Sequence, residues 1–197
     1  MVTSTDLMIN IPMLLTWFRI AMIPVLVLVF YLPTLWGPPL ACFVFVLAAV
    51  TDWLDGYLAR RLGQTSRFGA FLDPVADKLI VVVALVLIVQ HDARELTAIA
   101  AAIIIGREIT ISALREWMAD LGAGQAVAVS DLAKIKTILQ MTAIGFLLYR
   151  NDALFFPVGD IGVYDTGLIL LVAAAFLTLW SMGLYLYAAW KQVKATS

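Results

Sequence analysis

Long apolar stretches alternate with short links of polar, proline and glycine residues along nearly the whole chain. Each stretch has about the 20 residues that an α-helix needs to cross a bilayer. None shows the strict alternation of apolar and polar residues that is typical of a strand, and backbone in lipid must satisfy its own hydrogen bonds. The pattern therefore predicts six helical spans, at residues of approximately 11–33, 39–60, 70–90, 96–118, 131–149 and 165–189.

The composition agrees with an integral membrane protein. Hydrophobic residues make up 63% of the 197 residues and charged residues only 14%, whereas a soluble domain is about 25% charged. The sequence contains no convincing internal repeat and no linker long enough to divide domains. We therefore predict a single all-α membrane domain over residues 1–197, with residues 1–10 retained as an interfacial N-terminal segment.

Lysine and arginine are distributed unequally between the two sides of this topology. With six spans, both termini, the link between spans two and three and the link between spans four and five share one side. The opposite side holds only Arg94 and Arg150. The imbalance predicts that both termini are cytoplasmic. The basic residues of the predicted cytoplasmic side are Arg60, Arg61, Arg67, Lys78, Arg115, Lys134, Lys136, Lys191 and Lys194.

Two pairs of carboxylates flank the link between the second and third predicted spans. Asp52 and Asp55 are three residues apart and Asp73 and Asp77 four apart, so each pair lies on one face of its helix. A charge at the centre of a span costs roughly 2.5–3.5 kcal/mol on insertion scales, so four carboxylates need a compensating partner. Carboxylate oxygens are ligands that suit Mg²⁺ or Mn²⁺. The sequence thus predicts a site for two divalent cations, which would act on a charged substrate.

Small residues accompany these acids. Gly56 and Ala59 remove side-chain bulk beside the first pair, which would let a nucleotide or a pyrophosphate approach closely. Gly69 would do the same beside the second pair, although close packing of two helices explains a glycine there equally well. A set of surface acids paired with the arginines of the same link is the alternative interpretation. That alternative explains one pair of acids, but not four at this spacing.

The residues of this segment resemble the complete signature of the CDP-alcohol phosphatidyltransferases. The resemblance implies that a hydroxyl attacks the β-phosphorus of a CDP-linked lipid and releases CMP, and that the enzyme is a homodimer. It further implies that the four aspartates hold two metal ions, that Asp77 is also the general base, and that Gly56, Arg60 and Ser66 contact the CDP-lipid beside Ala59 and Gly69. The match reads Asp52-x2-Asp55-Gly56-x2-Ala59-Arg60-x8-Gly69-x3-Asp73-x3-Asp77, without departure.

A second group of charges lies in the fourth and fifth predicted spans. Arg107 and Arg115 are eight residues apart and roughly share a helix face, and Lys134 and Lys136 open the fifth span. Arginine within a span is a functional hypothesis by default, and a cluster of fixed cations suits a phosphate group. We predict that these four residues bind the phosphate of a phosphorylated acceptor. The alternative is charge pairing of each arginine with the glutamate that follows it.

Further residues extend the resemblance to the bacterial branch of the family that forms phosphatidylglycerophosphate. The implied substrates are CDP-diacylglycerol and sn-glycerol 3-phosphate, and the implied architecture is six helices around a polar cavity that faces the cytoplasm from the inner membrane. The matching segments are Asn10-Ile11-Pro12, Leu15-Thr16, Arg19, Thr51-Asp52-Trp53, residues 68–78, Arg107-Glu108, Leu114-Arg115-Glu116 and Lys134-x-Lys136-Thr137-x2-Gln140.

Several other interpretations stay open or are excluded at this stage. Charge and spacing do not separate glycerol phosphate from inositol phosphate as the acceptor, and phosphatidylglycerol is a third candidate. Four acids in a six-span protein also fit a divalent-cation transporter, although such sites usually lie at the bilayer midplane between repeats. A net charge of −1 argues against a nucleic-acid partner. With one cysteine, Cys42, and one histidine, His91, the chain has no intrachain disulfide, thiolate metal site or histidine-based triad.

Overall fold

The computed structural model describes residues 11–62, 67–120, 131–150 and 162–196, and every regular element within these ranges is an α-helix. All six predicted helices are confirmed. The largest difference is at the end of the last helix, which continues beyond residue 189 because a polar, basic turn can remain helical after the apolar stretch ends; Lys194 in this turn also interacts favourably with the helix dipole. The helices are α1 (Ile11–Phe30), α2 (Gly37–Leu62), α3 (Arg67–His91), α4 (Glu95–Asp120), α5 (Asp131–Tyr149) and α6 (Val163–Thr196).

Four of the described helices contain segments that are long and apolar enough to cross a bilayer. These segments are Met13–Phe30, Gly37–Leu58, Glu95–Met118 and Val163–Tyr187, and α5 adds a shorter apolar segment, Ile135–Tyr149. In α3, the four charged residues, Arg67, Asp73, Asp77 and Lys78, all lie in the first half of the helix. Large apolar side chains are exposed throughout, which suits contact with lipid rather than water. The chain is therefore an all-α, multi-pass membrane protein, and the count of six spans stays a prediction.

The chain forms two compact units. The first comprises Met1–Ile88 with Leu148–Phe156, and the second comprises Val89–Leu147 with Pro157–Ser197. Residues 1–10, with the predicted interfacial segment, lie outside the described residues.

In the first unit, α1 and α2 pack along one another. Leu26 of α1 and Ala41, Phe45 and Ala48 of α2 are at most 1% exposed, and the two alanines allow the helices to approach closely. A tight turn joins the helices and ends at Gly37. A Cβ atom at this position would lie 2.8 Å from the carbonyl oxygen of Leu32, so the turn requires glycine. This packing holds the middle of α1 beside the part of α2 that carries the first pair of aspartates.

In the second unit, α4 and α6 form an apolar contact through Ile111, Met118, Tyr185 and Ala189. Helix α6 also lies close to α5 at Gly167. A Cβ atom there would lie 2.9 Å from the Cβ of Phe146, so a larger residue would push the two helices apart.

The second unit contains a polar cluster around Asp92, in the link between α3 and α4. The carboxylate accepts hydrogen bonds from the Thr97 hydroxyl at 2.7 Å, the Tyr164 hydroxyl at 2.8 Å and the Arg94 Nε at 3.0 Å. Burial alone would raise the pKa of Asp92, but these hydrogen bonds outweigh it and lower the pKa to about 2. The cluster ties the start of α4 to the start of α6.

Candidate active site

The four signature aspartates lie in the first unit, with Asp52 and Asp55 on α2 and Asp73 and Asp77 on α3. Thr51, immediately before the first pair, is buried and its hydroxyl donates a 2.7 Å hydrogen bond to the carbonyl of Ala48. The hydroxyl of Thr51 therefore has its hydrogen-bond partner within α2 itself. We call these four aspartates the aspartate site.

Arg19 of α1 lies among these carboxylates. Its Nη2 atom donates a hydrogen bond to Asp55 and lies 3.2 Å from Oδ1 of Asp52, and its Nη1 atom donates to Asp77. One guanidinium therefore bridges the acids of α2 and an acid of α3. The planar group has five N–H donors in a fixed arrangement, which suits it to contact several carboxylates at once.

Thr16, one turn before Arg19 on the same face of α1, contacts the remaining acid. Its hydroxyl donates a hydrogen bond to Oδ1 of Asp73. Thr16 is fully buried and Arg19 is 1% exposed. Every aspartate of the site therefore has a partner on α1, although the sequence signature contains no residue of that helix.

The aspartate site has a buried part and an exposed part. The side chains of Arg19 and Asp55 are 1% and 5% exposed, whereas those of Asp52 and Asp77 are 44% and 37% exposed. Part of Asp52 and part of Asp77 are therefore open to a ligand, whereas Asp55 and Arg19 are enclosed.

The chemistry of the donors fits a pair of divalent cations, because carboxylate oxygens are the ligands that Mg²⁺ and Mn²⁺ prefer. Within the described ranges, no group of three or more His, Cys, Asp or Glu side chains is close enough together to hold a metal ion. In the aspartate site, three carboxylates instead contact the guanidinium of Arg19. The acids do converge on a positive charge, and the two-metal site stays a prediction.

Only some of the residues predicted to contact the CDP-lipid lie in the described part of the chain. Gly56 is half-buried on α2, one residue beyond Asp55. Ala59 and Arg60 lie on α2 and Gly69 on α3, but the surroundings of these three residues fall outside the described part of the chain, as does Ser66 altogether.

Arg61, one of the arginines considered as a partner for the acids, has a different contact. Its Nη1 atom donates a 3.0 Å hydrogen bond to the hydroxyl of Tyr57, whose ring stacks on Trp53 with centroids 5.9 Å apart. All three side chains lie on an exposed face of α2. This arrangement is typical of an aromatic belt at a membrane interface.

In the second unit, two of the four predicted phosphate-binding cations share one carboxylate. Arg107 Nη1 donates a 2.7 Å hydrogen bond to Oε1 of Glu108, and Lys136 Nζ donates a 3.0 Å hydrogen bond to the same oxygen. Arg107 and Lys136 are 7% and 2% exposed. The alternative interpretation, pairing of an arginine with the glutamate that follows it, is thus realised at Arg107.

Two buried polar atoms near these ion pairs have no hydrogen-bond partner within the described residues. They are Nε of Arg107 and Oε1 of Gln140, which lies one turn beyond Lys136 on α5. Arg115 is exposed, and its guanidinium lies 5.9 Å from the centroid of the Tyr185 ring. Lys134 lies in the first turn of α5, with its side chain outside the described residues.

Most of the chain matches one known protein family. The family model described as CDP-alcohol phosphatidyltransferase matches residues 9–180. The chain belongs to this family. The matched range contains the four aspartates of the sequence signature. It also contains Thr16 and Arg19, which the signature does not include.

Several curated relatives of this CDP-alcohol phosphatidyltransferase carry one name. The chain is 54% identical over 180 residues to the CDP-diacylglycerol–glycerol-3-phosphate 3-phosphatidyltransferase of Escherichia coli strain K12, in an alignment that covers 91% of this chain and 94% of that protein. Proteins of the same name from Escherichia coli O157:H7 and Shigella flexneri serotype 5b have the same identity and coverage.

The sequence of this CDP-alcohol phosphatidyltransferase alone predicts no role for Thr16 or Arg19. The signal for Arg19 was available, because an arginine inside an apolar span is a functional hypothesis by default. The same rule predicts a role for Arg107 and Arg115, which have other basic residues nearby, whereas Arg19 is the only charged residue in its predicted span. For Thr16 no local signal exists, because a single threonine in a helix is often satisfied by its own backbone.

Proposed function

We propose that this chain transfers the phosphatidyl group of CDP-diacylglycerol to sn-glycerol 3-phosphate, with formation of phosphatidylglycerophosphate and CMP. The observation that carries this proposal is the aspartate site: three of the four signature carboxylates of α2 and α3 contact the guanidinium of Arg19, and the fourth, Asp73, accepts a hydrogen bond from Thr16. The names of relatives that are 54% identical support the choice of both substrates.

We further propose that the aspartate site holds two divalent cations, Mg²⁺ or Mn²⁺. The ligands would be Asp52, Asp55, Asp73 and Asp77, all of which present hard oxygen donors. When bound, such cations neutralise the charge of a pyrophosphate and of the leaving CMP. The contacts with Arg19 support this proposal, because they indicate that the carboxylates gather around positive charge.

The residues of the site then have separable tasks in the transfer. A hydroxyl of the acceptor attacks the lipid-side phosphorus, a new P–O bond forms, and the bond from that phosphorus to the bridging oxygen of CMP breaks. Asp77 takes the proton of the hydroxyl as general base. Its side chain is 37% exposed, which leaves room for an acceptor to reach it. Gly56, Ala59 and Gly69 leave room for the CDP head group, and Arg60 and Ser66 contact it.

Arg107, Arg115, Lys134 and Lys136 are proposed to bind the phosphate of the acceptor. The support comes from Arg107 and Gln140, whose unpartnered Nε and Oε1 atoms are a buried donor and a buried acceptor within the described residues. Buried polar atoms are normally hydrogen-bonded, so such atoms indicate a missing partner. A phosphate accepts from the first, and a hydroxyl of the acceptor donates to the second.

The distribution of basic residues supports a location for the reaction. The excess of Lys and Arg on one predicted side supports cytoplasmic termini and a cytoplasm-facing cavity in the bacterial inner membrane. The acyl chains of the CDP-lipid would stay in the bilayer, and glycerol 3-phosphate would enter from water. Assembly as a homodimer is proposed from the family resemblance.

A single assay tests the proposed function. The purified protein in detergent, with CDP-diacylglycerol and Mg²⁺, is offered glycerol 3-phosphate, inositol 1-phosphate, inositol, serine or phosphatidylglycerol in separate reactions, and CMP release is measured. We expect turnover with glycerol 3-phosphate alone. Turnover with another acceptor would overturn the acceptor assignment, and no turnover with any of them would favour a divalent-cation transporter, which metal uptake into sealed vesicles would detect.

A further inference from the structure

We propose that Arg19 is a built-in counter-cation of the aspartate site, and that a divalent cation binds there by displacing its guanidinium from at least one carboxylate. This inference rests on the metal-binding role proposed above for the same site. It assigns a role in charge compensation to Arg19, a residue that lies outside the aspartate signature.

The contacts of Arg19 show why its guanidinium and a metal ion would compete. Its two terminal nitrogens contact Asp55, Asp52 and Asp77, and therefore link α2 to α3. Its Nε atom is buried and has no hydrogen-bond partner within the described residues. The interaction is thus concentrated at the outer end of the side chain, among the oxygens that a cation would use.

The burial of the site shows why a counter-cation is needed when no metal is bound. Asp55 is only 5% exposed, and a buried charge without a partner is strongly disfavoured. Carboxylates that are held close together also repel one another. Arg19 supplies positive charge to three of them, and Thr16 donates a hydrogen bond to the fourth, Asp73. The chain therefore satisfies its own aspartate site from α1.

The same contacts reduce the affinity of the site for metal. A carboxylate oxygen that accepts a guanidinium hydrogen bond has less capacity left for a cation, and a metal ion beside the guanidinium would meet a like charge. If metal binds only when Arg19 has withdrawn, the apparent affinity equals the intrinsic affinity multiplied by the fraction of molecules in which Arg19 has withdrawn. Asp52 and Asp77, the more exposed acids, are the first ligands that an incoming cation meets.

Mn²⁺ binding by the purified full-length protein in detergent tests this inference without any turnover. Free Mn²⁺ is followed by electron paramagnetic resonance in the wild type, Arg19→Gln and Arg19→Lys. We expect Arg19→Gln to bind Mn²⁺ roughly tenfold more tightly than the wild type, within the range of typical coupling between sites. Arg19→Lys should lie between the two, because an ammonium is a compact charge that cannot bridge the carboxylates in the same way.

A second readout is the melting temperature with and without Mn²⁺. Arg19→Gln should melt below the wild type without metal, because its carboxylates lose their counter-cation, and should gain more from added Mn²⁺. Arg94→Gln is the matched control, since it removes an exposed arginine that contacts Asp92 rather than the aspartate site. Its Mn²⁺ affinity should equal that of the wild type.

Each outcome decides the inference. Equal or weaker Mn²⁺ binding by Arg19→Gln overturns it while leaving the proposed metal site intact. If Arg19→Gln does not fold, Arg19→Lys decides, and an affinity equal to that of the wild type overturns the inference. If the wild type and every variant bind no Mn²⁺, the proposed metal site fails and this inference fails with it.

Discussion

The ammonium of Lys136 lies 3.0 Å from Oε1 of Glu108, which precedes it by 28 residues and belongs to another helix. Because Arg107 donates to the same oxygen, two buried cations share one carboxylate, which offsets only one of their two positive charges. A phosphate that enters this cluster brings a second anion to cations that already have a partner. The relationship makes Glu108 the residue that sets how strongly the cluster attracts an anion.

Glu108→Gln should therefore lower the stability of the protein and make it more dependent on the acceptor. Removing the charge leaves Arg107 and Lys136 without an anionic partner, at a cost of roughly 1–3 kcal/mol, the range for a buried donor that loses its acceptor. Glycerol 3-phosphate should restore part of this loss, because its phosphate replaces the carboxylate. The measurement is the melting temperature in detergent with and without glycerol 3-phosphate. Glu116→Gln, an exposed acid on the same helix, is the control; equal behaviour of the two variants would contradict the prediction.

Asp77→Asn should lose CMP release by about 10²–10⁴-fold, the usual contribution of a general base. The amide keeps the size of the side chain but cannot accept the proton of the acceptor hydroxyl. Mn²⁺ binding should survive in part, because three carboxylates remain. Glu95→Gln, an exposed acid in the first turn of α4, should keep normal activity. An active Asp77→Asn enzyme would refute the role of Asp77 as base.

Arg115→Ala and Lys134→Ala should raise the apparent KM for glycerol 3-phosphate and leave kcat nearly unchanged. Each substitution removes a cation that contributes to binding the phosphate equally in the ground state and the transition state. Initial rates of CMP release at varied acceptor concentration measure both constants. Lys194→Ala, which removes an exposed charge at the end of α6, is the control. Unchanged acceptor kinetics in both variants would exclude a phosphate site at these residues.

Asp92→Asn should lower stability in a manner that depends on pH. The pKa of Asp92 is lowered from 3.8 to about 2 in the folded protein, so the carboxylate stabilises the fold above pH 4 and loses this effect as the pH falls from about 4 to about 2. The contribution is on the order of 1 kcal/mol after allowance for solvent screening. The gap in melting temperature between wild type and Asp92→Asn should therefore be constant above pH 5 and shrink below pH 4.

Asp165→Asn provides the control for this prediction. Asp165 contacts Arg94 at 3.4 Å but is 60% exposed, so its pairing contributes little. A gap for Asp92→Asn that stays the same down to pH 2 would show that its hydrogen bonds do not depend on the charge.

The helices could be predicted from the sequence because each depends on a local pattern. Apolar length predicted all six, and spacing along a helix predicted that each pair of aspartates shares a face. The end of α6 was missed because helix formation does not stop where apolarity stops. The interpretation of Arg107 stayed open, because its neighbour Glu108 could pair with it or leave it available to a phosphate.

The contacts of α1 with the aspartates could not be predicted in the same way. Thr16 and Arg19 are 57 and 58 residues away from the aspartates that they contact on α3. No spacing rule relates positions on different helices, and only the packing of α1 beside α2 and α3 brings these residues together. An isolated arginine in an apolar span indicated that a partner exists, but not which acid it is.

The position of Arg19 early in the chain has a consequence for biosynthesis. Its buried partner Asp55 follows 36 residues later, and Asp77 later still. When α1 first leaves the ribosome, neither Asp55 nor Asp77 has been synthesised, so these partners do not yet offset the insertion cost of the guanidinium, roughly 2.5–3.5 kcal/mol. Insertion of α1 therefore costs least when α1 enters the bilayer together with α2, as a helical hairpin. The ion pair between Arg19 and Asp55 then forms during insertion. In this way the order of synthesis contributes to the assembly of the site.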